Sequence, residues 1–328
     1  VTLILSASEL SSLANMAATI DTIERAFHSL ATGTAHQPAP ASLHLPSSDA
    51  KFLPMAALSD VDRLASVKLL ADIPSNHESG LPTQRSTILL SSQATGETLA
   101  ILDGRVPTRI RTAAASAVAS KHLANPDSSV LGLVGAGALA VAHVEAMVEV
   151  LPIEKVVVWS RTEATLEKFR AQTAHHKLDI VAAGSVQEVV ESAHVLCTLT
   201  PATEPVVFGK WFAPGLHVNA VGSRPRPEHR EIDSEGVLKS RVFVDSLATA
   251  KEKSGNLIIP VSEGTYGFDR VEAELGEAIA GSKPGRTAKD DITLFNSVGI
   301  GLQDLAIGRL LYDRALEFGL GLRVDLAR

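Results

Sequence analysis

Cysteine is nearly missing from this chain of 328 residues, with Cys197 standing alone. A single thiol excludes an intrachain disulfide framework and a multi-cysteine zinc site, and no metal is expected. Cys197 lies in the apolar stretch "HVLCTLT", where a small buried hydrophobe is the simplest reading. Such cysteine usage suits the cytoplasm. Aromatic residues make up only 4% and net charge is −7. Stacking platforms are therefore scarce, and no basic stretch is interleaved with aromatics, so a nucleic-acid partner is not expected. Long apolar runs are also missing. The most apolar region, 130–150, is interrupted by Gly135, Gly137, His143, Glu145 and Glu149, which excludes a membrane span. "VTLIL" at 1–5 is short and has no basic flank, so it does not read as a secretory signal. Internal repeats and low-complexity tracts are not seen.

What the chain does have is 45% hydrophobic residues, enough for roughly two domains with ample core. Residues 15–31 read as a helix, with Asn15 as cap and Ile20, Ile23, Phe27 and Leu30 on one face. From Thr34 to about Ala100 the texture is strand and turn: "HQPAPASLHLP", "AKFLPMAAL", "LASVKLLA" and "RSTILLSS" are short and broken by Pro, Ser, Asp and Gly. "QATGETLAIL" reads as a hairpin around Thr95 and Gly96, and "TAAASAVASKHL" (112–123) as a helix. From Val130, apolar runs alternate with helical segments: 130–134, 155–159, 178–182, 194–200, 216–221 and 241–245. Such runs predict a parallel sheet covered on both faces. A long helical pattern then runs from Asp290 to Phe318, with Gly299 and Gly301 inside it as sites of close packing. The expected fold is α/β. A Rossmann doubly wound parallel sheet covers 113–300, and a discontinuous α+β domain covers 1–112, completed by 301–328.

The stretch "VLGLVGAGALA" supplies Gly135, Gly137 and Ala140 as G-x-G-x-x-A. Either it cradles a pyrophosphate or it is only a tight turn in a packed core. In the first case Gly135 permits the turn, Gly137 lets the backbone approach, and Ala138 and Leu139 open a helix whose N–H groups face the phosphates. A strand before, a helix after and a second strand about twenty residues on favour the cofactor. The second strand ends in Trp159-Ser160-Arg161-Thr162, with no acid for the ribose hydroxyls. Ser160 and Thr162 can donate to a 2′-phosphate and Arg161 can pair with it, so NADPH is preferred, with NADH possible. The other reading makes Arg161 a solvated loop charge.

Segments in a fixed order make the chain similar to the ornithine cyclodeaminase/mu-crystallin family: "SVKLLADIPSNHESGLPT" (66–83), "TGETLAILDG" (95–104), "RIRTAAASAVASKHLA" (109–124), "GAGALA" (135–140), "TPATEPV" (200–206), "NAVGS" (219–223) and "DITLFNSVGIGLQDLA" (291–306). The resemblance implies a homodimer and a substrate-binding domain of N-terminal strands plus the C-terminal helix, beside the Rossmann domain. It also implies an NAD(P)H-linked activity on imino or amino acids. The family includes ornithine cyclodeaminases, alanine dehydrogenases and reductases of ketimines and cyclic imino acids.

By alternation Lys68 either points outward from "ASVKLLA" or lies inside with a partner; the resemblance puts it inside, at the substrate. Arg111, taken to begin the Ala-rich helix, is implied to grip the substrate carboxylate in a two-pronged contact, while Arg109 reads as a surface charge. Family members often carry an arginine where Pro40 stands here; His44 nearby is either a partial substitute or structural. Cyclodeaminases place an aspartate where this chain has Ser223, and serine is a poor base at neutral pH. That departure favours reduction of a cyclic imino acid or ketimine. Ornithine cyclodeaminase, an alanine or N-alkyl amino acid dehydrogenase, and a non-catalytic NADPH-binding protein remain the alternatives. Thr200, Pro201, Thr203 and Val221 fall on the carboxyl-end rim of the sheet, where they would meet the cofactor. Ser297, Val298 and Gly299 either approach the nicotinamide or serve helix packing.

Overall fold

The computed structural model describes residues 1–326. It divides into two compact units: 1–111 with 299 onward, and 112–298.

In the first unit, strands β1 (Thr2–Leu5), β2 (Ala35–His36), β3 (Leu43–His44), β4 (Lys51–Ser59), β5 (Leu64–Asp72), β6 (Gln84–Ser92) and β7 (Thr98–Asp103) join a short C-terminal strand, Leu322–Val324, in one sheet. Its order is C-terminal strand, β1, β7, β6, β5, β4, β2, with β3 also on β4. Pairing is antiparallel except between β1 and β7. The β6–β7 connection is the expected hairpin, and Gly96 supplies its left-handed residue at φ 74°. Helix α1 (Ala7–Leu13) is followed by α2 (Met16–Ala31), capped by Asn15, whose Oδ1 accepts from Ala18 N at 2.8 Å. Ile20, Ile23 and Phe27 on α2 are buried, as the spacing predicts. The C-terminal helix, Gly301–Phe318, lies on β4, β5 and β6. Gly301 allows that approach, since a Cβ there would come within 2.6 Å of the Ala56 carbonyl.

Helix α3 (Arg105–Leu123) starts seven residues before the predicted Thr112. Pro107 in its first turn is no obstacle, because the first-turn N–H groups have no intrahelical partner. Arg111 therefore sits in the helix interior rather than at its start.

The second unit holds β8 (Val130–Val134), β9 (Lys155–Trp159), β10 (Asp179–Ala182), β11 (Val195–Thr198), β12 (His217–Ala220), β13 (Arg241–Val244), β14 (Val271–Glu274) and β15 (Thr293–Asn296). All pair in parallel, in the order β10-β9-β8-β11-β12-β15-β13-β14. Helices α4 (Ala138–Val150), α5 (Glu163–Thr173) and α6 (Val186–Ser192) connect the first strands. The strand order reverses beside β8, so the β8–β11 boundary is the topological switch point where open α/β sheets bind ligands.

The single helix expected over 290–318 is not there. "TLFN" is instead a buried strand between β12 and β13, Gly299 at φ 88° breaks the chain, and the helix begins only at Gly301. A strand of four residues buried on both faces carries no period that separates it from helix.

Candidate functional site

In the second unit, the glycine turn leads from β8 into α4. Gly135 has φ 112°, and a Cβ on it would stand 2.9 Å from the Leu199 carbonyl. The fold alone requires glycine there. Gly137 is different. Its φ of −76° suits any residue, and an added Cβ would meet no protein atom within 4 Å. Among the described residues nothing asks for a missing side chain at this position, so the packing of the turn does not account for this glycine. Gly137 and Ala138 are exposed, Leu139 is half-buried, and no side chain caps α4. The buried Ala140 packs the helix onto the sheet. The turn therefore fits the pyrophosphate of a nicotinamide dinucleotide. At the end of β9, Ser160 is half-buried and Arg161 and Thr162 are exposed. The Thr162 hydroxyl already caps α5 by accepting from Thr165 N at 3.4 Å, a duty the sequence reading did not assign it.

The rim beyond β11 and β12 is organised by a residue the sequence reading missed, Glu231. Its fully buried carboxylate accepts from Thr198 Oγ1, Thr200 N and Thr200 Oγ1 at 2.7 Å each, and from Ser223 N at 3.0 Å. Its own N–H donates to Asn256 Oδ1 at 2.9 Å. Burial raises its pKa, and the Thr200 and Thr198 bonds oppose the rise. Gly222 is forced, because a Cβ there would strike Thr200 N at 2.3 Å. Thr200 and Ser223 are thus held by one carboxylate, and the Ser223 hydroxyl has no hydrogen-bond partner among the described residues. Pro201 is exposed, Thr203 lies beyond it on the same loop, and Val221 is half-buried. Ser297 is buried, and its N–H donates to the Ala220 carbonyl at 3.0 Å.

The first unit brings Lys68 and Arg111 together. Lys68 points inward from β5 and is fully buried, while its neighbours Val67 and Leu69 point out. Its Nζ lies 2.7 Å from Asp304 Oδ2 in the C-terminal helix. Arg111 Nε donates to Asp304 Oδ1 at 3.2 Å, and Nη1 donates to Gln303 Oε1 at 2.7 Å. Gly299 lies against the guanidinium: a Cβ would come within 2.9 Å of Nη1. Burial lowers the Lys68 pKa to about 8 from 10.5, with Asp304 opposing and Arg111 adding to the shift. Apart from Asp304, Lys68 Nζ meets no acceptor among the described residues, and Gln303 Nε2 has none. A buried donor without an acceptor is costly, and Gln303 Nε2 beside a guanidinium and an ammonium that share one carboxylate makes a cluster with room for a second anion.

Arg109 is exposed, as expected. His44 is exposed on β3 and Pro40 is buried, while Gln37 of the same stretch accepts from Leu302 N at 2.9 Å at the start of the C-terminal helix. Asp304 and Gln303 were not read from the sequence, although an acid between Leu302 and Leu305 on an apolar helix face was the available sign. Among the described residues no group of His, Cys, Asp and Glu could hold a metal ion, and no helix is long and apolar enough to cross a membrane.

The ornithine cyclodeaminase/mu-crystallin family profile matches residues 1–319. The chain belongs to this family. It is 37% identical to the Thermococcus litoralis Delta(1)-pyrroline-2-carboxylate reductase solved with NADH and L-proline, covering 98% of this chain and 100% of that one at a TM-score of 0.93. An archaeal alanine dehydrogenase dimer with bound NAD is 34% identical, covering 99% of each chain at a TM-score of 0.92. The ketimine reductase mu-crystallin of Mus musculus is 38% identical over 259 residues, 79% of each chain.

Proposed function

We propose that this family member reduces the C=N bond of a cyclic imino acid or ketimine, such as Δ1-pyrroline-2-carboxylate or Δ1-piperideine-2-carboxylate, to L-proline or L-pipecolate. The chain is an NAD(P)H-dependent oxidoreductase acting on C=N and CH–NH bonds. The observation that carries the reading is the buried cluster of Lys68, Arg111 and Asp304, in which two cations face one carboxylate and polar donors remain unanswered. One substrate carboxylate balances that charge.

The reduced nicotinamide supplies a hydride when bound. The Gly137 turn, Ala138 and Leu139 hold its pyrophosphate, and Thr200, Pro201, Val221, Ser297 and Gly299 belong to its nicotinamide side. Ser160, Arg161 and Thr162 favour NADPH, since no carboxylate at the end of β9 repels a 2′-phosphate. Lys68 and Arg111 anchor the α-carboxylate. Lys68 delivers the proton to nitrogen, with the Ser223 hydroxyl as a second donor.

A cyclodeaminase needs repeated proton transfers at nitrogen, and serine in place of aspartate at 223 removes the base for them. The alanine dehydrogenase neighbour makes an open-chain substrate the second reading. The enzyme works as a homodimer of 1–112 and 301–328 domains with a dinucleotide-binding domain over 113–300. Its compartment is the cytoplasm.

The test is NADPH and NADH oxidation with the five- and six-membered cyclic imines, with pyruvate plus ammonia and with pyruvate plus methylamine. Turnover of a cyclic imine, faster with NADPH, is the expected result. Oxidation with pyruvate and ammonia alone selects the second reading. Ammonia release from ornithine without net NADPH use overturns both.

A further inference from the structure

Asp304 has no assigned role, yet both of its oxygens are committed to the cations of the anchor. Oδ2 faces Lys68 Nζ at 2.7 Å and Oδ1 takes Arg111 Nε at 3.2 Å. Asp304 is fully buried, and so is Lys68. Gln303 beside it takes Arg111 Nη1, and since guanidinium only donates, the amide oxygen must face it. The first turn of the C-terminal helix therefore fixes the arginine fork from two consecutive residues.

We infer that Asp304 is the positioning residue of this anchor: it keeps Lys68 charged and orients Arg111, so that Lys68 reaches the reaction as a proton donor. The inference rests on the imine-reductase reading. Two facing cations with no anion between them would repel one another in a desolvated site, and the lysine would resolve this by shedding its proton. A neutral lysine has no proton to give. With Asp304 in place, an N–H bond forms at the substrate nitrogen as one N–H bond of Lys68 breaks. The lysine is left as an amine and recovers its proton from water. The charged groups facing Lys68 are Asp304 from the C-terminal helix and Arg111 from α3. Its cross-strand neighbours, Met55 on β4 and Ile88 on β6, carry no charge.

The experiment titrates Lys68 directly, by carbon NMR of protein labelled at lysine Cε, with the resonance assigned by its loss in Lys68→Arg. In the wild type the midpoint lies above pH 7. In Asp304→Asn, nearly isosteric, it falls by at least one unit, a tenfold loss of proton affinity. The basic limb of the kcat/KM profile for the cyclic imine moves down with it, whereas a merely structural role would lower kcat/KM at all pH values alike. A wild-type midpoint below 7, or one unchanged in Asp304→Asn, overturns the inference. If Asp304→Asn does not fold, Asp304→Glu replaces it: the midpoint stays above 7 while kcat/KM falls about tenfold, and unchanged kcat/KM counts against positioning. If the wild type reduces no imine, the functional reading fails by itself, and the titration still decides whether Asp304 keeps Lys68 charged.

Discussion

Gly137 and Gly135 share a turn but answer to different demands. Gly135 is required by the backbone, at φ 112° and against the Leu199 carbonyl, and Gly135→Ala therefore destabilises the fold. Gly137 has ordinary dihedrals and open space around it. Gly137→Val is expected to lower NADPH affinity at least tenfold while costing at most about 1 kcal/mol of stability, the scale of a changed helix cap. Fluorescence titration with NADPH and a urea melt of the same variant check this. Undiminished binding would return the turn to a purely structural role. The sequence motif already gave the turn to Gly135 and the close approach to Gly137; what it could not name is the Leu199 carbonyl that Gly135 packs against, because that contact comes from the chain beyond β11. Asp304 was illegible for a similar reason. A buried lysine announces that it needs a carboxylate, but not which of the 37 acids in the chain the C-terminal helix will bring to it.

Among the elements, β8, β9, β11, β12 and β13 were legible because parallel strands buried on both faces read as nearly unbroken apolar runs. β14, "VEAE" at the sheet edge, and β15, "TLFN", were not. β15 carries Thr293 and Asn296 because the unit buries a polar network there: Thr293 Oγ1 meets His217 Nδ1 at 2.9 Å, and Asn296 Oδ1 accepts from Ser254 and Asn256. A second buried polar contact joins α3 to α4, where His143 Nε2 meets Ser116 Oγ at 3.0 Å and Nδ1 meets the Leu139 carbonyl at 2.8 Å. Burial lowers the His143 pKa to about 4, the Leu139 bond opposing, and lowers that of His217 to about 3 with Arg286 adding to the shift. The unfolded chain protonates these rings near pH 6.5 and the folded chain does not, so the unfolded state binds more protons in between. Stability is therefore lost as pH falls from 6.5 toward 4, by about 3 kcal/mol for His143 alone. Urea midpoints across that range should fall, and less steeply in His143→Gln. A profile that is flat from 6.5 to 4 would show that these rings are not held neutral.

For the whole molecule, the sheet of the first unit keeps an apolar inner face, with Leu53, Leu64, Leu70, Ile88 and Leu90 buried, but departs from the usual pattern on both sides. An antiparallel sheet with one wet face puts apolar residues in and polar ones out. Here β5 turns Ser66, Lys68 and Asp72 inward together with Leu64 and Leu70, and turns Val67 and Leu69 outward. Phe52 and Leu58 on β4 and Leu89 on β6 are exposed as well, and Leu89 stands directly across from Val67. Each departure has a physical reason. The inner face carries the charged anchor under the C-terminal helix, and the outer face carries an apolar patch of the kind that marks an interface. Alternation alone favoured an outward Lys68, because nothing in one strand says that both faces are to be covered. We propose a second copy of the chain as the occupant of this patch; the archaeal alanine dehydrogenase it resembles is a dimer. Leu69→Glu combined with Leu89→Glu places like charges on adjacent strands of that patch, and each must be desolvated for two copies to meet. On that proposal, sedimentation should give the mass of two chains for the unaltered protein and of one for the variant. The internal Lys68–Asp304 pair lies on the opposite face of the sheet and should titrate as before. A variant that still sediments as two chains would move the contact between copies to another surface, and the apolar patch would need a different partner.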